Sequence, residues 1–249
     1  MIAGGCDRET HRRRFRTKLI AMGMCGYDRV LVEPSGVYDV DEFFDVLRDE
    51  PLDRWYKIGN VITVVNAKLE PELSEMSEYL LASEAAHAGV VVLSRAEEAT
   101  EEEMQATIMH LNRALEKVHC GRRLDQEIIR KGSLSLTDAD FAKIQQCGYV
   151  QENYQKMDLI EENSFDTVYV MERKMTVEEI LAGMNKIFAD PSCGEVFRIK
   201  GFMQEKNGSW IEVNATRHEL QKQPIKEGQE ILIVIGERLQ EEKIRQYLN

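Results

Sequence analysis

The sequence predicts an α/β chain in two parts: a mostly parallel sheet carrying helices over residues 1–150, and a smaller α+β module over residues 166–249. Three observations predict it. Apolar runs at Val30–Val32, Val61–Ala67 and Val90–Leu93 alternate with amphipathic segments of helical period, the pattern of βαβ units. Residues 151–165 turn polar and acidic and read as a linker. Beyond them, one helical pattern is followed by alternating strands and an Asn207-Gly208 turn, as in a helix laid on antiparallel strands.

The elements follow in order. A helix is expected over about residues 9 to 23, with the basic run His11–Arg16 as a solvated face rather than an anion site. Val30-Leu31-Val32 has no polar break, as in a strand buried on both faces of a parallel sheet. Glu33 then sits at its carboxyl end and leads into Pro34-Ser35-Gly36. Val40, Phe43, Phe44 and Leu47 recur at i, i+3, i+4 and i+7 and make the next helix, with Asp39 or Asp41 as its cap. Pro71 opens a helix with Leu73, Met76 and Leu80 inside. Thr100-Glu101-Glu102-Glu103 is a capping box for a long helix with the stripe Met104, Ile108, Leu111, Leu115 and Val118. Gln126–Ile129 reads as a short strand and Thr137–Gly148 as a capped helix. In the second part, Phe165–Met171 is a strand and Thr176 caps a helix that Asp190-Pro191 stops. Phe197–Met203 and Trp210–Val213 form a hairpin, Ile231–Ile235 a central strand and Glu241–Leu248 a closing helix.

Bulk properties narrow the function. A net charge of −12 and a pI near 5.0 set the chain against polyanions, so no nucleic-acid partner is expected. No apolar run reaches the roughly 20 residues of a membrane span, and no membrane partner is expected. Cys6, Cys25, Cys120, Cys147 and Cys193 are scattered, with no Cys-x-x-Cys pair, so they read as reduced thiols of a cytoplasmic protein. His119-Cys120 and His218 read as surface or capping residues, and most of the methionines as core.

The chemistry converges on strand ends. In open α/β sheets ligands gather beyond the carboxyl ends of the strands. An acid delivered there and followed by Pro, Ser and Gly is placed for phosphate or metal work. Val30-Leu31-Val32-Glu33-Pro34-Ser35-Gly36 resembles the second nucleotide motif of the CobW-like P-loop GTPases, where a strand ends in Glu-(Thr or Pro)-Ser-Gly and the acid holds the magnesium shell. Val61–Ala67 stands where that family has its next strand, and Val90–Leu93 followed by Ser94-Arg95-Ala96-Glu97 stands where the family reads guanine with Asn-Lys-x-Asp. In the second part, Val196–Gly201 and Ile233–Gly236 resemble landmarks of the CobW carboxy-terminal domain, so the likeness covers nearly the whole chain.

The resemblance implies a P-loop-type sheet and a CobW-type carboxy-terminal domain over 166–249. It implies GTP and Mg as cofactors, with Zn or Co possible, and a role in metal or metallocofactor delivery to a client metalloprotein or other protein partner. It makes Glu33 the catalytic acid, and Glu33, Ser35, Gly36, Ser94, Arg95 and Glu97 the nucleotide-binding set. Gly4-Gly5-Cys6 falls where the family has its Cys-x-Cys-Cys metal motif, which leaves Cys6 as the metal-ligating candidate. No Gly-x-x-x-x-Gly-Lys-(Ser or Thr) occurs in the 249 residues. The expectation is therefore an incomplete P-loop sheet with impaired nucleotide binding, lacking its first strand, phosphate loop and first helix, and an exposed flank beside Val30–Val32. The alternative reading is a non-catalytic protein-interaction module derived from such a GTPase.

Overall fold

In a computed structural model, residues 8–34, 40–157, 165–171, 175–205 and 207–248 are described. They divide into two compact units, Met1–Met157 and Asp158–Asn249.

The first unit opens with helix α1 (Arg8–Met24), α2 (Val40–Arg48) and the short α3 (Leu52–Trp55). Phe15, Leu19, Val46 and Leu52 are buried together, with Val30, Phe43 and Tyr56 packed around them. The basic face of α1 is solvated as expected, and Arg12 pairs with Asp49 at 3.2 Å. A three-stranded parallel sheet follows in the order β1 (Ile62–Asn66), β2 (Val90–Ser94), β3 (Ile128–Ile129). Val90, Val91 and Leu93 of the central strand are fully buried. Helix α4 (Glu75–His87) is capped by Ser74, whose hydroxyl accepts from Ser77 N–H, rather than opened at Pro71. It is buried almost all round, and Ala82, Ala85 and Ala86 let its neighbours approach closely. Helix α5 (Glu101–Lys117) carries the Thr100 capping box and buries the stripe from Met104 to Leu115. Helix α6 (Asp138–Gln145) is capped by Thr137. Residues 151–157 have no regular structure but are pinned within this unit, where Gln155 N–H donates to Val118 O at 2.7 Å.

Val30–Val32 is not a strand. The segment belongs to no sheet, Leu31 is 88 % exposed, and of the three residues only Val30 joins a core. An apolar run becomes a strand only where a neighbouring strand satisfies its backbone, and none of the described residues pairs with this one. The open flank of the sheet belongs to β1 instead. Of the two places expected for Cys120, surface or cap, it takes the second: it is buried just past the end of α5, where its N–H donates to Leu115 O at 3.0 Å.

The second unit is an antiparallel sheet in the order β4 (Phe165–Val170), β8 (Ile231–Glu237), β5 (Glu195–Gln204), β6 (Trp210–Ala215), β7 (Leu220–Ile225). Helices α7 (Val177–Ala189) and α8 (Glu241–Leu248) supply Ile180, Met184, Ile187, Ile244 and Leu248 to a core with Val168, Ile199, Met203, Leu232 and Val234. The two helices approach closely at Gly183, where an added Cβ would lie 2.4 Å from Tyr247 O. Strand β7 has no counterpart in the sequence reading. Its residues Leu220-Gln221-Lys222-Gln223-Pro224-Ile225 are almost all exposed, so they show no alternation of apolar and polar positions. Among the described residues no helix is long and apolar enough to cross a membrane.

Candidate functional site

Parallel pairing in register sets the strand exits of the first unit side by side. Asn66 of β1 lies opposite Ser94 of β2, and Val92 of β2 opposite Ile129 of β3. Beyond them the chain leaves through Ala67-Lys68, Arg95–Glu98 and Arg130–Gly132. The β1 exit is fixed from inside. Buried Thr107 of α5 donates its hydroxyl to Ala67 O at 2.8 Å and accepts from Leu69 N–H at 3.1 Å. Asn66 Oδ1 accepts from Lys68 N–H at 3.0 Å, which closes a tight turn.

The four residues after the β2 core have distinct fates. Ser94 donates its hydroxyl to Val65 O at 3.2 Å and so stitches the sheet. Arg95 is in the left-handed region at φ 59° and turns the chain into a single 3-10 turn over Ala96–Glu98. Its Nε donates to Glu98 Oε2 at 3.1 Å, so the cation faces its own loop. Glu97 is exposed, and its carboxylate has no hydrogen-bond partner among the described residues. That carboxylate lies over the β3 exit: a Cβ added to Gly132 would come 2.3 Å from Glu97 Oε2. Gly132 is therefore required by the approach of Glu97, which no spacing rule in the sequence exposes.

Two of the neighbouring cations are engaged. Arg130 Nη1 donates to Glu101 at 3.1 Å, and Lys131 Nζ to Asp140 at 2.6 Å. The Lys131 ammonium and the Thr137 cap hold the Asp140 carboxyl well below its ordinary range. Among the described residues the mouth thus offers the free Glu97 carboxylate beside paired charges and the exposed Lys68 ammonium, an arrangement able to accept hydrogen bonds from a polar ligand.

Glu33 lies outside this cluster, exposed at the end of the irregular segment that follows α1, with no partner among the described residues. Ser35, Gly36 and Cys6 lie outside the described residues. Among the described residues no group of three or more His, Cys, Asp or Glu side chains is placed to hold a metal ion.

Two polar clusters, each around a buried histidine, were not read from the sequence, which offered Asp41 only as a helix cap. Asp41, in the first turn of α2, accepts from Tyr154 OH at 2.7 Å and pairs with Lys156 at 3.1 Å. His87 stands 3.8 Å from Asp41 and makes a 3.1 Å hydrogen bond through Nδ1 with Val150 O. Burial and the Asp41 carboxylate both push the Tyr154 hydroxyl's pKa upward. The second group joins α4 to α5: Glu78 meets His110 at 2.9 Å and Lys117 at 3.2 Å.

Residues 1–121 match the family model of the CobW/HypB/UreG nucleotide-binding domain. Over those residues the chain is similar to the CobW/HypB/UreG nucleotide-binding domain. The matched residues hold the Glu33 segment, β1, β2 and its exit, and the whole of α5. No curated protein sequence is significantly similar to the chain. Among solved structures, it is similar to the Zn(II)-bound YjiA GTPase from E. coli, at 15% identity and a TM-score of 0.35, over 98% of this chain and 77% of that one. It is similar also to a Zn(II)-bound triple mutant of YjiA GTPase, at 15% identity and a TM-score of 0.36, over the same shares of the two chains.

Proposed function

We propose that this chain is a CobW-like GTP-binding protein, impaired in nucleotide binding as it stands, that serves metal or metallocofactor delivery to a client protein in the cytoplasm. The observation that supports the reading is the family match over residues 1–121, a segment that includes the β2 exit with its free Glu97 carboxylate. In this reading Glu97 accepts hydrogen bonds from the guanine edge, with Ser94 and Arg95 shaping the turn that presents it. Glu33, Ser35 and Gly36 organise magnesium and phosphate, Cys6 belongs to a site for zinc or cobalt, and residues 166–249 are the CobW-type carboxy-terminal domain.

The residues present do not fit a complete magnesium–nucleotide site. Phosphoryl transfer depends on backbone donors of a glycine-rich loop and its lysine, and the 249 residues contain no such motif. No hydrolytic step is therefore assigned to this chain. The same observation, together with the engagement of Ser94 and Arg95 inside the fold, favours the second reading, a protein-interaction module descended from a GTPase.

Titration of the labelled chain with GMP, GDP and GTP, followed by NMR, separates the two. Recognition through the base predicts that all three perturb the amides of residues 94–98 and 130–132 alike, with dissociation constants of about 1 mM or weaker, and that Glu97→Gln removes the effect. AMP should leave those amides unmoved. Absence of any guanine-dependent shift at these residues would overturn the nucleotide reading. Micromolar GTP binding would overturn the reading that these 249 residues hold no phosphate cradle.

A further inference from the structure

The last turn of α4 carries a histidine whose ring is half satisfied. His87 is 5 % exposed. Its Nδ1 makes a 3.1 Å hydrogen bond with Val150 O, and because a carbonyl oxygen only accepts, Nδ1 carries the proton of the neutral ring. Nε2 is then a bare lone pair. It is buried with no hydrogen-bond partner among the described residues, and it stands 3.8 Å from Asp41 Oδ1. A lone pair set against a carboxylate is satisfied by one thing that neither group brings, a second proton on the ring.

The surroundings hold the ring in that place. Phe44 of α2 meets it edge-on at 5.0 Å, and Tyr154 lies 5.7 Å away. Val150 N–H donates to His87 O at 3.1 Å, so residues 150–156 are tied to α4 through backbone and side chain alike. The charged and titratable groups around the ring come from each neighbour. Asp41 belongs to α2, and Tyr154 and Lys156 both bond to it. Arg122 donates to Ala85 O and Ala86 O at 3.0 Å, with Glu152 in its field. Glu84 lies on α4 itself, one turn earlier. The Asp41 carboxylate and the carbonyl end of α4 both favour a cation at Nε2.

We propose that His87 is a proton-operated latch. With one proton it holds residues 150–156 alone, through Val150. With a second, on Nε2, it closes by about 1 Å onto Asp41 Oδ1 in a charge-assisted hydrogen bond and clamps α2, α4 and residues 150–156 together. The proton comes from solvent and returns to it as pH rises, and no covalent bond changes. In the sequence α2 follows the Glu33-Pro34-Ser35-Gly36 stretch, so the latch sets how firmly the helix after that stretch is held.

The full chain carrying Glu84→Gln tests this, because burial raises the Glu84 carboxyl to about 7 and its titration would otherwise run in the same range and the same direction. Between about pH 8 and about pH 5, ring nitrogen NMR should show Nδ1 of His87 protonated throughout and Nε2 protonated only at the acid end. Amide exchange at Val150 and Gln155, corrected for its intrinsic pH dependence, should slow by about tenfold over the same range. Asp41→Asn removes the charge that receives the proton and should flatten the response. His87→Asn sets an amide where Nδ1 donates to Val150 O but has nothing at Nε2, so it should keep the protection seen at the alkaline end and lose the response; if it unfolds, Asp41→Asn decides. An Nε2 that stays bare down to about pH 5, exchange that does not follow the ring titration, or a full response in Asp41→Asn would overturn the proposal.

Discussion

Replacing Tyr154 by Phe removes one oxygen and little else, and its cost follows from the geometry. The Tyr154 hydroxyl donates to Asp41 Oδ2 at 2.7 Å, and the Asp41 side chain is only 18% exposed. A hydrogen bond to a charged group is worth about 1.5–3 kcal/mol. The ring keeps its edge contacts with His87 at 5.7 Å and Tyr79 at 6.3 Å, so no apolar burial is lost. Asp41 keeps Lys156 at 3.1 Å and is not left unpaired. The expected loss therefore sits at the lower end, about 1.5–2 kcal/mol, or roughly 3–8 °C in the melting temperature of a unit this size. A second, independent signature lies in pH. The Tyr154 pKa is raised above its unfolded value near 10, so its stabilising contribution is full below pH 10 and is lost above it, as the unfolded chain ionises where the folded one resists. The Phe variant should thus melt lower at pH 7 yet lose stability less steeply between pH 10 and 11. Calorimetric melts across that range measure both. Equal melting temperatures at pH 7, or an alkaline slope unchanged by the substitution, would refute the assignment of Tyr154 as the neutral donor that pins residues 150–156 to α2.

Two further substitutions probe the packing. Burial raises the Glu84 carboxyl to about 7 from 4.5, so the stability linked to its protonated form is complete below pH 4.5 and falls away as pH rises through 7; Glu84→Gln should match the wild type in urea midpoint at pH 4 and exceed it at pH 8 by about 1–2 kcal/mol, and identical midpoints at pH 8 would contradict this. A Cβ at Gly89 would lie 2.3 Å from Gly148 O and 2.5 Å from Cys147 O, both backbone atoms that cannot swing aside. Gly89→Ala should accordingly cost about 3 kcal/mol or more, and a loss below about 1 kcal/mol in a denaturant titration would show that the 147–148 segment yields.

What could be read in the sequence was what local chemistry decides. The Thr100, Thr137 and Thr176 caps were legible because donor and acceptor lie within one turn of each other. Ile231–Ile235 was legible as a strand because its five residues are apolar without a break. Val30–Val32 misled for the converse reason: the same apolar composition serves an extended segment that finds no neighbour. Strand β7 was invisible because it is polar on both faces and its identity comes from pairing with β6. At the candidate site, Glu97 was singled out by the resemblance of Ser94–Glu97 to a guanine-reading motif, whereas its seat against Gly132 depends on a β3 exit more than thirty residues away. The Asp41–Tyr154 bond spans 113 positions, and no periodicity carries information over that distance.

The place of β8 bears on how the second unit comes into being. It lies between β4 and β5, pairing with both, yet it is the last of the five strands to be synthesised. While residues up to Ile225 are emerging, β4 has no partner, and the ladder that runs from β5 to β7 is missing the neighbour that gives it a buried flank. Closure waits on contacts such as Thr167 with Ile235, nearly seventy residues apart, for which the loop entropy is spent before any pairing is gained. Among the described residues, the three-stranded sheet of the first unit is, by contrast, paired by Ile129, with one further bridge from Ala88 to Tyr149. On a ribosome the two units therefore fold one after the other, and the nascent second unit exposes Phe165–Val170 as an unpaired apolar strand for the whole time needed to make the rest of it, an interval in which capture by a chaperone competes with folding.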